Sequence, residues 1–202
     1  DSETAGYRRE KKSEIWTWKG SGLVKKNGNT QVIEKVDIEA RRTGQTIEIQ
    51  QLVINGTKNS LGIRGEAYPK ANLIVKINGE TDDLMETLKD MDLIKKTIPL
   101  SGDYKIETRL MGPWDDLNQD GKVELNKLNF EGRKFDLVRA HYQIRKNQLK
   151  AADGSVEVNS TKVDFNLSNI IDNKKAQFVV HAENVNYGDV QRSIDPVIEP
   201  IL

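Results

Sequence analysis

The chain has 202 residues, enough for one domain or two joined repeats, and its 31 basic and 31 acidic side chains cancel to no net charge. That balance leaves no basic footprint for nucleic acid, while 31% charged residues and a mean hydropathy of −0.64 suit a sheet with one wet face. No run approaches the roughly 18–20 apolar residues of a spanning helix, and zero cysteines remove disulfides, thiolate metal sites and a thiol nucleophile together.

Residues 1–14 are polar and charged and read as a frayed lead-in, without the apolar core of a signal peptide. The first residue is Asp1, not Met, which agrees with a piece of a longer protein whose anchor or targeting signal lies elsewhere. From Trp16 onward the hydrophobic period is two, the mark of antiparallel strands with one buried and one solvated face. Strands are expected near 16–25, 31–41, 45–54, 60–67, 70–78, 101–111, 121–130, 134–145, 148–158, 161–170 and 176–185. Val163, Phe165 and Leu167 alternate cleanly with polar neighbours, whereas Ile74 breaks the alternation of Ala71, Leu73, Val75 and Ile77. In several strands the apolar set changes parity. Ile47 and Ile49 give way to Leu52 and Ile54, and Phe135 and Leu137 give way to Val138, Ala140, Tyr142 and Ile144. Such one-residue slips predict β-bulges. Gly20-Ser21-Gly22 reads as a bulge, and Asn27-Gly28, Asn55-Gly56, Asp120-Gly121 and Asp153-Gly154 as turns or bulges.

One helix is expected near 82–95. Thr81 is its candidate cap, Asp82 and Asp83 suit its first turn, Leu84, Leu88, Met91 and Ile94 share a stripe, and Pro99 bars its continuation. A second, shorter helix is expected over Tyr187 to Ile194. The two helices belong to a loose repeat. The run from Leu73 through the helix to Pro99 has a counterpart in the run from Phe178 to Pro200, with Leu73 to Phe178 a shift of 105 and Asp83 to Asp189 a shift of 106. Repeated units that stack on their neighbours are the mark of an array whose single units cannot bury their own apolar face. The region 15–202 is therefore read as β-repeats of a larger protein, with a repeat boundary near 79–100 and a second copy that stops before its next strand.

Chemistry finds little foothold. Asp116, Asn118, Asp120 and Gly121 match the first half of a calcium loop, but the principal ligand position holds Lys127, so a polar hairpin turn is the expectation. His141 and His181 fall on the polar parity of their strands, with no partner at metal-ligand spacing. No nucleophile elbow or dinucleotide loop is present, and the carboxylates are scattered over wet faces. The chain reads as a non-enzyme with no cofactor. Trp16 and Trp18 share a strand face and fit a core anchor as well as a sugar-stacking platform.

Gly112-Pro113-Trp114, the run Gly121 to Phe130, the run Lys134 to Ile144, Asn147-Gln148-Leu149 and Ile98 to Gly102 together resemble the AsmA-like and TamB-like repeat family of bacterial envelope proteins. The resemblance extends over nearly the whole chain from Trp16, through a diffuse strand pattern with Asp115 to Asp120 as an insertion. It implies a long curled β-sheet whose apolar groove carries phospholipid or other acyl-chain lipids. It also implies periplasmic residence, an inner-membrane anchor outside this sequence, neighbouring repeats of the same chain as partners, and an outer-membrane protein as a further one.

A sheet with one continuous apolar face must cover it with helices, close on itself, or offer it to apolar ligands. The expected architecture is mainly β: an elongated, twisted antiparallel sheet, groove-like or an open barrel, with one or two short helices. Val75, Ile77, Ile106, Val138, Tyr142, Ile144, Phe165 and Leu167 hold the apolar parity of their strands and are the candidate lining of a lipid groove. The alternative is a β-sandwich binding module for protein or carbohydrate, with the same residues in a closed core.

Overall fold

The computed structural model describes residues 4–10, 13–26, 29–90, 99–130, 132–146, 148–159, 161–170 and 175–183. They form one antiparallel sheet of 12 strands, in which each strand pairs with the next in sequence. The strands are β1 (Thr4–Glu10), β2 (Ser13–Lys26), β3 (Asn29–Thr43), β4 (Thr46–Gly56), β5 (Asn59–Tyr68), β6 (Ala71–Glu80), β7 (Leu100–Gly112), β8 (Asn118–Phe130), β9 (Arg133–Arg145), β10 (Gln148–Val158), β11 (Thr161–Ile170) and β12 (Lys175–Glu183). The one helix among the described residues, α1 (Thr81–Asp90), stands between β6 and β7, with six strands before it and six after. β1 and β12 are the two edges and do not pair with each other, so the sheet is open.

The meander follows from its turns. Among the described residues, four connections of two residues between paired strand ends hold a backbone at positive φ: Gly44 at 62°, Gly132 at 81°, Lys146 at 50° and Asn159 at 51°. Tight hairpins need that conformation to match the right-handed twist of their strands. The parity slip in β4 is a bulge, as the sequence implies, whereas β9 pairs with β8 without a register shift and the shift beside it lies in β10. The register shifts opposite Gln50 and Gln51 of β4, so Ile47 and Ile49 share a face with Leu52 and Ile54. Lys127, at φ 50°, bulges β8 against β7, and Asp153, at φ 51°, bulges β10 between β9 and β11. Gly20 and Gly22 flank a further shift.

The best-packed region is the middle of β6. Ala71, Leu73 and Val75 are buried, and Ile49, Leu61, Ile63, Ala67, Ile77, Leu110 and Leu117 pack around them. All of these neighbours come from β4 to β7 and the loop after β7, that is, from the same sheet rather than from a facing one. The total accessible surface is 14,131 Å². A compact monomer of this 22.9 kDa mass would expose about 9,600 Å².

Several expectations change. The lead-in contains strand β1, paired with β2 from Thr4 opposite Lys19 to Glu10 opposite Ser13. Its charges, Arg8, Arg9 and Glu10, hid it from a search for alternation, and they suit an edge strand, where charge discourages further pairing. Thr81 is not the helix cap. It is 1% exposed, and its hydroxyl faces the carbonyls of Leu100 and Gly102 at 3.2 and 3.1 Å, tying the helix start to β7, while Asp82 Oδ1 accepts from the Asp83 amide. Asp120-Gly121 is neither turn nor bulge but the body of β8, where Gly121 lets β7 approach so closely that a Cβ would lie 2.8 Å from Thr108 Cβ. The turn Asn27-Gly28, the helix beyond Asp90 and the second helix over 187–194 lie outside the described residues.

Candidate functional site

Register carries the apolar set of each strand straight across the sheet. One row runs Trp18, Ile38, Leu52, Ile63, Val75, Thr108, Gly121, Tyr142, Ala151, Leu167, Phe178, each opposite the next. The adjacent row runs Gly20, Val36, Ile54, Leu61, Ile77, Ile106, Val123, Ala140 and continues past the β10 bulge with Gly154, Phe165 and Val180. No charged residue stands in either row. With strands about 4.8 Å apart, this apolar band extends for about 50 Å in the hydrogen-bonding direction.

All eight candidate lining residues share that face. Val75 lies within the buried cluster and forms its floor, and Ile77 packs against it. Ile106, opposite Ile77, is half-buried, as are Val138, Tyr142 and Ile144 of β9, which stand opposite Leu125, Gly121 and Gln119. On β11, Leu167 lies opposite Ala151, and the ring of Phe165 lies over Gly154, where a Cβ would come within 2.5 Å of it. The eight span six strands, so they line a band rather than a point. Trp16 and Trp18 continue it on β2, half-buried opposite Ala40 and Ile38.

Polar groups on this face find partners inside the protein. Tyr104, 3% exposed, donates its hydroxyl hydrogen to Asn59 Oδ1 at 3.0 Å, and burial, with Asp83 nearby, holds its phenol above the usual range. The Thr108 hydroxyl donates to the Asp120 carbonyl at 3.3 Å. At the α1 end of the face a cavity of about 400 Å³ opens between the helix and β3–β7, lined by Ile54, Leu61, Ile77, Leu84 and Tyr104 among others.

The opposite face is a lattice of cross-strand charges. Lys76 pairs with Glu107 at 3.1 Å, and Arg139 Nε donates to Glu124 at 3.2 Å. Asn126, then Arg139, hold the Glu124 carboxyl below the usual range. Asp120 accepts from His141 Nε2 at 2.8 Å and from Gln143 Nε2 at 2.7 Å, and the His141 bond is the main cause of its lowered pKa. His141 thus has a carboxylate partner that sequence spacing did not give, because the two are neighbours only through the β8–β9 register. His181 stands opposite Asp164 in register, on the polar parity expected. The half calcium motif is taken apart by the same strands: Asn118 and Asp120 belong to β8, and the turn lies before them, where the Asp116 amide donates to the Pro113 carbonyl at 3.0 Å. Ile74, the apolar residue out of pattern, stands on the polar face between Arg64 and Arg109 and is half-buried there.

Among the described residues no helix is long and apolar enough to cross a membrane, and no cluster of three or more His, Asp or Glu residues is placed to hold a metal ion. Comparison with protein-family models, with curated proteins and with solved structures returns no match.

Proposed function

We propose that this chain is a non-enzymatic lipid-binding segment, holding acyl chains along the apolar face of its sheet as part of a bacterial envelope bridge protein. One observation carries the reading: an uncharged apolar band crosses β2 to β12 while, among the described residues, the side chains packed on its best-buried members come from adjoining strands and a loop. Apolar surface left in this state gains about 25 cal/mol for each Å² it buries, and a hydrocarbon chain supplies that burial without hydrogen-bond demands. The internal partners of Tyr104 and Thr108 suit such a ligand. Six strands on either side of α1 suit an array in which a helix recurs once per sheet unit.

The sandwich alternative requires a second sheet over this face, and the 12 strands are one sheet in sequence order. Phospholipid is the proposed cargo. By the family resemblance, the proposed setting is the periplasm, with an inner-membrane anchor outside this sequence, and with adjoining repeats and an outer-membrane protein as partners. Native mass spectrometry after gentle purification tests the cargo. Adducts of phospholipid mass, released on activation, are expected; the bare chain alone, under conditions that retain lipid on a known carrier, overturns the proposal.

A further inference from the structure

We propose that a bound phospholipid lies along the strand direction, with its acyl tips beneath α1 and its head group at the lip formed by Tyr68 and Trp114. The inference rests on the lipid reading and adds an orientation to it. The two ends of the apolar face differ in shape and in aromatic content. At the α1 end the face runs into the cavity of about 400 Å³, roofed by Leu84 and walled by Ile54, Leu61 and Ile77. That volume falls within the roughly 300–1,000 Å³ of ligand pockets, and its walls are those of a hydrocarbon site. Its rim is acidic: Glu80, Asp82 and Asp83 stand near Lys58, whose ammonium is already held by Glu80 at 2.7 Å and has its pKa raised, first by that bond. A phosphate head group placed there meets like charge, and an acyl tip does not.

The other end is marked by exposed aromatic rings, with Lys70, Asp115 and Asp116 beside them. Tyr68 and Trp114 are 50% and 54% exposed, the largest exposed aromatics of the β5–β8 region. The Trp114 indole N–H donates to the Ala67 carbonyl at 2.7 Å, which fixes the ring beside Tyr68, and Leu117 of the same loop packs on the buried β6 cluster. Rings with one apolar body and one polar edge favour the boundary between acyl chains and head groups. The length also agrees. From Leu73 to Gly79 the strand advances about 20 Å, and a lipid monolayer with its head groups is roughly 20–22 Å thick, half of a bilayer.

Two photoreactive phosphatidylethanolamines test the orientation on the full 202-residue chain, one with a diazirine at the acyl terminus and one with it on the head-group amine. The tail probe is expected to label residues 77–90 and the head probe residues 68–70 and 113–117, read by peptide mass spectrometry. Leu84→Trp fills the cavity and is expected to abolish tail labelling at α1 while head labelling at the lip persists. Trp114→Ala, at the far end, is expected to do the converse, so the test survives if either variant misfolds. Reversed labelling, or both probes labelling both ends equally, overturns the orientation but leaves the lipid reading standing. Labelling by neither probe above an unrelated β-sandwich protein overturns both.

Discussion

The two faces of this sheet are built from the same strands and differ by one residue of register. On β9, Val138, Ala140 and Tyr142 join an apolar band, while Arg139, His141 and Gln143, each one residue further on, join a network of charges and amides. On the polar face several charges are matched by cross-strand neighbours, Lys76 with Glu107 and Arg139 with Glu124 among them, at separations where exposed pairs contribute only tenths of a kcal/mol but keep the surface wet. On the apolar face most side chains are half-buried, and besides the β6 cluster Val36, Tyr104, Thr108 and Ala151 are buried there. The β6 cluster is the best-packed part of this face, and the proposed lipid contacts fall on the half-buried side chains around it.

The sharpest way to break this contrast is to mutate one strand on both sides. Leu73→Ala, at 4% exposure, is expected to cost about 2–5 kcal/mol. Lys76→Ala, which removes an exposed pair with Glu107, is expected to stay within about 1 kcal/mol. Urea unfolding midpoints compare them, and equal costs would mean that the cluster is not the stabilising centre. A narrower test lies on β10. Gly154→Ala places a Cβ against the Phe165 ring and is expected to cost about 1–3 kcal/mol through overpacking. In a Phe165→Ala background the same change is expected to cost much less, and a double-mutant cycle with no coupling would show that the ring does not lie over that glycine.

Smaller effects are expected on the polar face. Asp120 has its pKa lowered by His141 and then Gln143, so its stabilising contribution is present above the ordinary value near 3.8 and is lost as pH falls through the lower folded value. Asp120→Asn is expected to flatten the acid limb of a stability–pH profile in that window and to lower the neutral plateau by the same small amount. An unaltered acid limb would contradict the assignment. The smallest expected effect is none: melting curves in millimolar calcium and in chelator should overlay, since both oxygens of Asp120 are engaged and Lys127 occupies the would-be principal ligand position. A rise of several degrees would show that the 116–121 segment binds the ion.

Much of this architecture was legible because alternation is a local signal. Eleven strands and the slip in β4 announce themselves in runs such as Val163, Phe165 and Leu167 or in the change from Ile49 to Leu52, whereas the change from Phe135 to Val138 marks no register shift of β9 against β8. β1 was not legible, since Arg8, Arg9 and Glu10 carry no alternation and the strand exists through its pairing with β2. The Asp120–His141 pair was hidden for a related reason: 21 residues separate its members, and only register joins them. Thr81 misled because a helix-capping sequence does not reveal a neighbouring strand whose carbonyls compete for the hydroxyl. The candidate lining was legible as a set of parities, but the unequal roles of its members were not. Val75 became a floor residue and Tyr142 an open one through the packing around β6 alone.

The central claim, that one face holds acyl chains and the other does not, is tested most directly by a photoreactive amino acid placed in turn at Val138 and Arg139. These positions are adjacent in sequence and lie on opposite faces of β9. Each variant, first shown to be folded by circular dichroism, is irradiated with phospholipid and its covalent adducts are weighed. The account predicts lipid adducts from position 138 and none above background from position 139; equal capture at both, or capture only at 139, would contradict it.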